Sequence, residues 1–200
     1  MIISSDDFTL QVLDKPKVIT DNDLQKLSEQ EREAFGGFSN EKKKIEFALS
    51  RLMFRDLLGN NYSEIQYESC GKPTMADFSI SLSHSRSYVT VIYSKYKVAI
   101  DIEEYRQQIL KITSKFVRDD EKSIFTSLED LTVLWSAKET MFKLTNASQN
   151  LLDFCITRIS DDTLEGRVII DGKTSNITNL SYIRNDNFSL VWACEKNERL

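Results

Sequence analysis

"KVAIDIEEYR", residues 97–106, poses the question on which the fold turns. It opens as a buried strand, with Val98, Ala99, Ile100 and Ile102, yet it carries Asp101 and Glu103 two positions apart. Successive side chains of an extended chain point to opposite faces, so the two carboxylates share one. Placed side by side they repel, which is costly unless something cationic lies between them.

The flanking sequence supplies a frame for this strand. Upstream, "FSISLSHSRSYVTVIYS" (78–94) alternates Ile80 and Leu82, then Val89 and Val91, around the polar centre "SHSRS", and predicts two strands folded on each other. "SEIQYESCGKP" (63–73) predicts a strand running into a turn at Gly71–Pro73. A helix is expected over 24–35, with Leu24, Leu27, Arg32 and Phe35 at helical intervals. A longer one is expected over 41–58, with Ile45, Leu49, Leu52 and Leu57 as its apolar stripe and Gly59 as its stop. Downstream the order repeats: a helix over 131–145, then "DFCITRIS", "LEGRVII" and a final hairpin, "ITNLSYIRNDNFSLVWACE". An offset of 100 matches Ser81 with Ser181, Tyr88 with Phe188 and Val91 with Val191, a weak self-similarity of consistent sense. The expectation is an α+β fold, a pseudo-dimer of two related α/β halves, each a helix on a small, mainly antiparallel sheet. Residues 1–96 form the first half and 97–200 the second, with a ligand cleft between them.

Composition narrows the function classes. The 200 residues are 40% hydrophobic and 28% charged, as in ordinary globular proteins, and enough to bury a sizeable core. A net charge of −5 argues against nucleic acid as a main partner, because phosphate backbones call for a concentrated basic surface. The start, "MIISSDDFTL", lacks a basic segment followed by a long apolar run, and no stretch approaches a membrane span. Cys70, Cys155 and Cys194 are odd in number and far apart, so reduced thiols in a cytoplasm are expected; a monomer is expected as well. His84 is the only histidine and has no partner for a zinc site.

The predicted helix at 131–145 buries Leu134, Ala137, Met141 and Leu144, while Trp135, Glu139 and Lys143 recur at i, i+4, i+8 on an adjacent face. Glu139 facing the cleft of Asp101 and Glu103 makes three carboxylates, an oxygen set that favours Mg²⁺ and its phosphate ligands. Glu139 and Lys143 equally satisfy an ordinary surface ion pair. "CGKP" and "SLSHS" add Lys72, Ser83, His84 and Ser85, which can offer a cation and donors to phosphate oxygens, or serve simply as turn residues.

Taken in order, "GKP", "SLSHS", "VAIDIE" and "WSAKETMFK" resemble the 4′-phosphopantetheinyl transferase superfamily, in its surfactin-synthetase-activating branch, across about Glu29 to Leu144. The resemblance implies a pseudo-dimer with coenzyme A and Mg²⁺ in the cleft. It implies Asp101, Glu103 and Glu139 as metal ligands, Lys72, Ser83 and His84 as coenzyme A phosphate contacts, and Lys143 on the pyrophosphate. Arg32 in "EQEREAF" is expected at the 3′-phosphate, with Lys43, Lys44 and Arg51 as the other cations on offer. Ser50 precedes Arg51 where the family usually has Gly, which leaves the role of Arg51 open. The implied reaction moves phosphopantetheine from coenzyme A to a serine of an apo carrier protein and releases adenosine 3′,5′-bisphosphate. Glu121 in "KFVRDDE" is implied as acceptor of the serine proton, with a metal-bound water as the equal alternative.

Two other readings use the same residues: a Mg²⁺-dependent phosphohydrolase acting on a nucleotide or coenzyme A, and a non-catalytic coenzyme A binding relative. A separate expectation concerns "ILKITSKFVRDDEK". As a helix it would align Lys111, Lys115, Arg118 and Lys122 in one basic stripe, suited to docking an acidic carrier protein, while Ile109, Ile112 and Phe116 face the core.

Overall fold

The structure, a computed structural model, describes residues 1–199. Its first sheet holds β1 (Ile2–Ser4), β2 (Phe8–Asp14), β5 (Ser79–His84) and β6 (Tyr88–Ser94), in the order β1-β2-β6-β5 and antiparallel throughout. Between β2 and β5 come α1 (Asp21–Gln25), α2 (Glu29–Gly37), α3 (Glu41–Leu58) and a small hairpin of β3 (Gln66–Tyr67) with β4 (Pro73–Thr74). β7 (Tyr96–Glu104) opens the second sheet. α4 (Leu128–Thr145) follows it, then β8 (Phe154–Ile159), β9 (Thr163–Ile170), β10 (Lys173–Thr174), β11 (Thr178–Arg184) and β12 (Phe188–Arg199). That sheet runs β10-β9-β11-β12-β7, with β8 also on β9. The fold is α+β.

The two sheets repeat one arrangement. In the first, β2 pairs with β6 and β6 with β5; in the second, β7 pairs with β12 and β12 with β11, all antiparallel. Counterparts 100 residues apart even touch: the Tyr88 and Phe188 rings stand 4.8 Å apart, and Ser94 Oγ is 3.8 Å from Cys194 Sγ. α3 covers one face of the first sheet with Leu49, Met53 and Phe54 against Ile80, Val89 and Val91. α4 covers the second with Leu134, Ala137, Met141 and Leu144 against Leu180, Val191 and Ala193. The remaining faces pack on each other through Leu10, Val12, Ile92, Val98, Ile100, Ile102, Leu190 and Trp192. Alternation along β7 therefore turns Val98, Ile100 and Ile102 toward the first sheet, and Ala99, Asp101 and Glu103 toward the α4 side.

The helix expected over 41–58 forms with those limits: the Asn40 side chain accepts from Lys42 N and Lys43 N, and Gly59 stops it at φ 53°. The helix expected over 24–35 is two. Ser28 Oγ accepts from Glu31 N while the Glu31 carboxylate accepts from Ser28 N, a reciprocal cap that starts α2 in mid-segment. The basic helix expected in "ILKITSKFVRDDEK" does not form. The segment makes short 3₁₀ turns at Gln107–Lys111 and Thr113–Lys115, then irregular turns. Its backbone is captured by a buried ion pair, since Lys138 Nζ donates to Phe116 O (2.5 Å) and the Glu121 carboxylate accepts from Arg118 N (3.0 Å). Phe116, Ile109 and Ile112 still reach the core. Lys111, Lys115, Arg118 and Lys122 do not share a helical face, and Arg118 and Lys122 pair with Asp120 and Asp119.

β5 and β7, each at an edge of its sheet, meet without a backbone ladder. Ser79 Oγ accepts from Val98 N (3.1 Å), Ser81 Oγ accepts from Ile100 N (3.2 Å), and Ser83 Oγ donates to Asp101 Oδ1 (2.7 Å). Every second residue of "SISLSH" thus faces the open edge of β7 and satisfies it with a hydroxyl. Because Ser81 is buried, Ser81→Ala strands the Ile100 amide and should cost about 1–3 kcal/mol in urea unfolding. Ser79→Ala, at the partly exposed end where water can substitute, should cost less than about 1 kcal/mol. Equal losses at the two positions would contradict this account of the seam.

Candidate functional site

Asp101 stands where the seam meets α4. Its Oδ1 accepts from Ser83 Oγ and from Lys143 Nζ (2.8 Å), and Lys143 also donates to Ile100 O (3.0 Å). Its Oδ2 is buried and has no hydrogen-bond partner. A buried charged oxygen without a partner is costly, so this side of Asp101 has a lone pair available to a group outside the chain.

Glu103 and Glu139 belong to the same electrostatic unit. Burial pushes Glu103 up to about 7, and the negative charge of Asp101 adds to it against the pull of Arg106 and Trp135. Burial likewise raises Glu139, again with Asp101 reinforcing and Lys143 opposing. Arg106 donates to Glu103 (2.8 Å) in a half-exposed contact. Glu139 makes no hydrogen bond or ion pair to any described residue. As the side chains stand, no three carboxylate, imidazole or thiol groups among the described residues are placed to hold one metal ion. Lys143 and Arg106 supply the positive charge instead. The charge of Asp101 is nonetheless felt at both glutamates, the repulsion that the spacing in "DIE" foretold.

Beside this centre lies a cavity of about 260 Å³, lined by the turn Gly71–Pro73, by Tyr67, Ser81 and Leu82, and by Phe142, Lys143 and Asn146 at the end of α4. Lys72 and Lys143 therefore share one cavity, although 71 positions separate them. The left-handed Asn146 (φ 49°) terminates α4 at this wall, and Gly71 (φ 85°) makes the turn that presents Lys72. Lys72 makes no ion pair to a described residue. Ser83 and His84 follow along β5, Ser83 on Asp101 and His84 beside Glu46 (3.3 Å).

Other expected site residues lie elsewhere. Arg32 is exposed on α2 and donates to Leu27 O (2.7 Å). Lys44 pairs with Glu41 (2.9 Å). Arg51 is buried, 3.7 Å over the Phe47 ring, and donates to Tyr67 Oη (2.9 Å), so it shapes the cavity wall from behind. Glu121 lies away from the cleft: its carboxylate is fully buried, bound to Lys138 Nζ (2.6 Å), Ile156 N (2.8 Å) and Arg118 N. Sequence reasoning missed Lys15 and Glu46, which join His84; Lys15 follows β2 and Glu46 lies in mid-helix, and neither position carries a local signal.

A family model described as the 4′-phosphopantetheinyl transferase superfamily matches residues 97–192, just under half of the chain. The matched span holds Asp101, Glu103, Glu139 and Lys143, whereas Lys72, Ser83 and His84 lie outside it. That superfamily transfers phosphopantetheine from coenzyme A to carrier proteins. No curated protein matches the chain. Among the described residues, no helix is long and apolar enough to cross a membrane.

The raised glutamates set a pH dependence. A carboxyl whose proton affinity is higher folded than unfolded favours the folded state below its unfolded value, and that contribution is lost as pH rises through the folded value. Without divalent metal, Asp101→Asn removes the repelling charge, so the stability of the variant relative to the parent should improve from pH 5 to pH 7.5. Urea midpoints at the two pH values check this; a difference that does not change with pH would contradict the coupling.

Proposed function

We propose that this chain transfers the 4′-phosphopantetheine arm of coenzyme A to a serine of an apo carrier protein, with Mg²⁺ as cofactor, in the surfactin-synthetase-activating branch of the superfamily. The observation that carries the reading is the convergence on one cleft of four short motifs spread from Gly71 to Lys143. The first half, 1–96, contributes phosphate contacts, and the second, 97–200, the carboxylates together with Lys143.

The carboxylates of Asp101, Glu103 and Glu139 have the chemistry to hold a hard divalent cation, but their side chains would have to turn to bring three oxygens onto one ion. Asp101 Oδ2 is unpartnered, Glu139 makes no hydrogen bond or ion pair to a described residue, and Glu103 is held by a half-exposed arginine and by Trp135, so each has oxygen to give. Bound there, the cation would supply charge neutralisation for the coenzyme A pyrophosphate. The chain supplies the rest. Ser83 fixes the rotamer of Asp101 from across the seam. Lys143, anchored on Ile100 O, and Lys72, on its turn, bring two ammonium groups to the cavity, where the pyrophosphate charge needs them. The carrier serine oxygen attacks the phosphorus that bears the pantetheine arm, the bond to the bridging oxygen breaks, and adenosine 3′,5′-bisphosphate departs. Such a displacement depends on positioning and charge more than on covalent catalysis. The serine proton passes to a water molecule at the open side of the cleft, because Glu121 is paired with Lys138 in the core.

Mass spectrometry of an apo carrier protein incubated with the chain, coenzyme A and Mg²⁺ tests this. One added phosphopantetheine is expected, and loss of at least about a hundredfold in rate for Asp101→Ala or Glu139→Ala with the fold retained. Breakdown of coenzyme A without transfer would replace this reading with a phosphohydrolase. Binding with neither reaction would leave a coenzyme A binding protein.

A further inference from the structure

Of the three seam carboxylates, Glu103 is the one that a neighbouring arginine occupies. Arg106 Nη2 donates to Glu103 Oε2 at 2.8 Å, and Trp135 holds the same carboxylate. Turned this way, Glu103 does not join Asp101 and Glu139 around a common point. The backbone here is fixed. Glu103 and Glu104 are laddered to Ser189 and Phe188 of β12, the Glu104 carboxylate accepts from Ser87 N (2.9 Å), and Tyr105 Oη donates to Phe188 O (3.0 Å). The part that is free to move is the Arg106 side chain, half of which is exposed.

That side chain has a second place to go. Where the β5–β6 turn meets the β11–β12 turn lies a polar hollow of about 410 Å³, lined by Arg106 itself with Arg86, Ser87, Glu104 and Asp186. Asp186 is exposed and makes no ion pair to a described residue. Arg106 therefore stands between Glu103 on one side and the acidic groups of the hollow on the other.

We propose that Arg106 is a built-in counter-ion for Glu103, which occupies the carboxylate in the empty chain and turns into the hollow, toward Asp186, when a divalent cation takes that carboxylate. Arg106 is a positioning residue, since it acts on the cation only through Glu103. The inference rests on the function proposed above and adds an order to it. A cation arriving alone has to displace one positive charge and sit near another, Lys143, whereas a cation accompanied by a pyrophosphate brings the anion that offsets both. The chain thus takes Mg²⁺ together with coenzyme A rather than before it.

Calorimetric titration of Mg²⁺ alone into the full chain tests this. Removing Arg106 also raises the proton affinity of Glu103, so the titration is run at pH 8.5. Arg106→Gln should bind Mg²⁺ about three- to fivefold more tightly than the parent, the range of a half-exposed ion pair. Arg106→Lys, which keeps the charge but loses the fork, should fall between them. Arg86→Gln removes the same charge from the hollow without touching Glu103 and should stay within about twofold of the parent. Asp186→Asn should weaken Mg²⁺ binding in the parent and have no effect in Arg106→Gln, because only a displaced Arg106 uses it; a merely structural role for Arg106 would not produce that coupling. An affinity that Arg106→Gln leaves unchanged or lowers, or that Arg86→Gln raises as much, overturns the inference. So does a failure of both parent and Arg106→Gln to bind Mg²⁺ at millimolar concentration, and carrier modification by mass spectrometry then judges the proposed function separately. If the gain in Arg106→Gln survives Asp101→Ala, the ion lies elsewhere, and the metal assignment of the proposed function falls with the inference.

Discussion

The hydroxyl of Ser81 receives the amide of Ile100 at 3.2 Å, and the position of everything else in the site depends on that contact and its two neighbours. A sheet edge normally finds its partner in another backbone, which would have merged the two sheets into one. Serines at alternate positions of β5 give β7 single acceptors instead of a ladder, so the sheets remain separate layers, packed face to face, whose edges meet along this seam. The last serine of the series, Ser83, changes role from acceptor to donor, because at that register β7 presents the Asp101 carboxylate to it. The site begins where the seam's hydrogen bonding passes from backbone to side chain.

The same constraint explains the electrostatics. Asp101 is buried on the α4 side of β7 with one oxygen engaged twice and the other not at all. Its charge, in a poorly solvated place, raises the proton affinity of Glu103 and Glu139. α4 can approach closely enough to bring Glu139 and Lys143 there because its buried face is small and hydroxylated where it crosses β12: Thr140 donates to Val191 O, and Ser136 Oγ lies 3.4 Å from Ser189 Oγ. A site made of like charges is costly in the protein alone, and in the proposed function a bound cation would relieve it.

Much of this was legible because periodicity and pairing chemistry are local. The alternation of "SISLSH" and the stop at Gly59 fix their elements from a few residues, and "DIE" with "WSAKE" forecast the carboxylates that influence one another here. Two kinds of feature were not legible. The start of α2 was written in Ser28 and Glu31, but the apolar spacing of Leu24 and Leu27 ran across it and suggested one helix. The segment after β7 carries helical spacing, yet Lys138 and Glu121, 17 positions apart, bind its backbone groups in the core and prevent the helix. Long-range pairs of this kind, Lys15 with Glu46 and His84 among them, leave no trace in sequence spacing, because only the assembled fold makes them neighbours.

The account's central claim is that the seam carboxylates, a divalent cation and the coenzyme A pyrophosphate form one unit. Calorimetric titration of coenzyme A with and without Mg²⁺, on the parent chain and on Asp101→Ala, addresses it most directly. The account predicts that Mg²⁺ tightens coenzyme A binding to the parent by at least about tenfold and leaves Asp101→Ala unaffected. Coenzyme A binding that is indifferent to Mg²⁺ in the parent, or equally responsive in the variant, would contradict it.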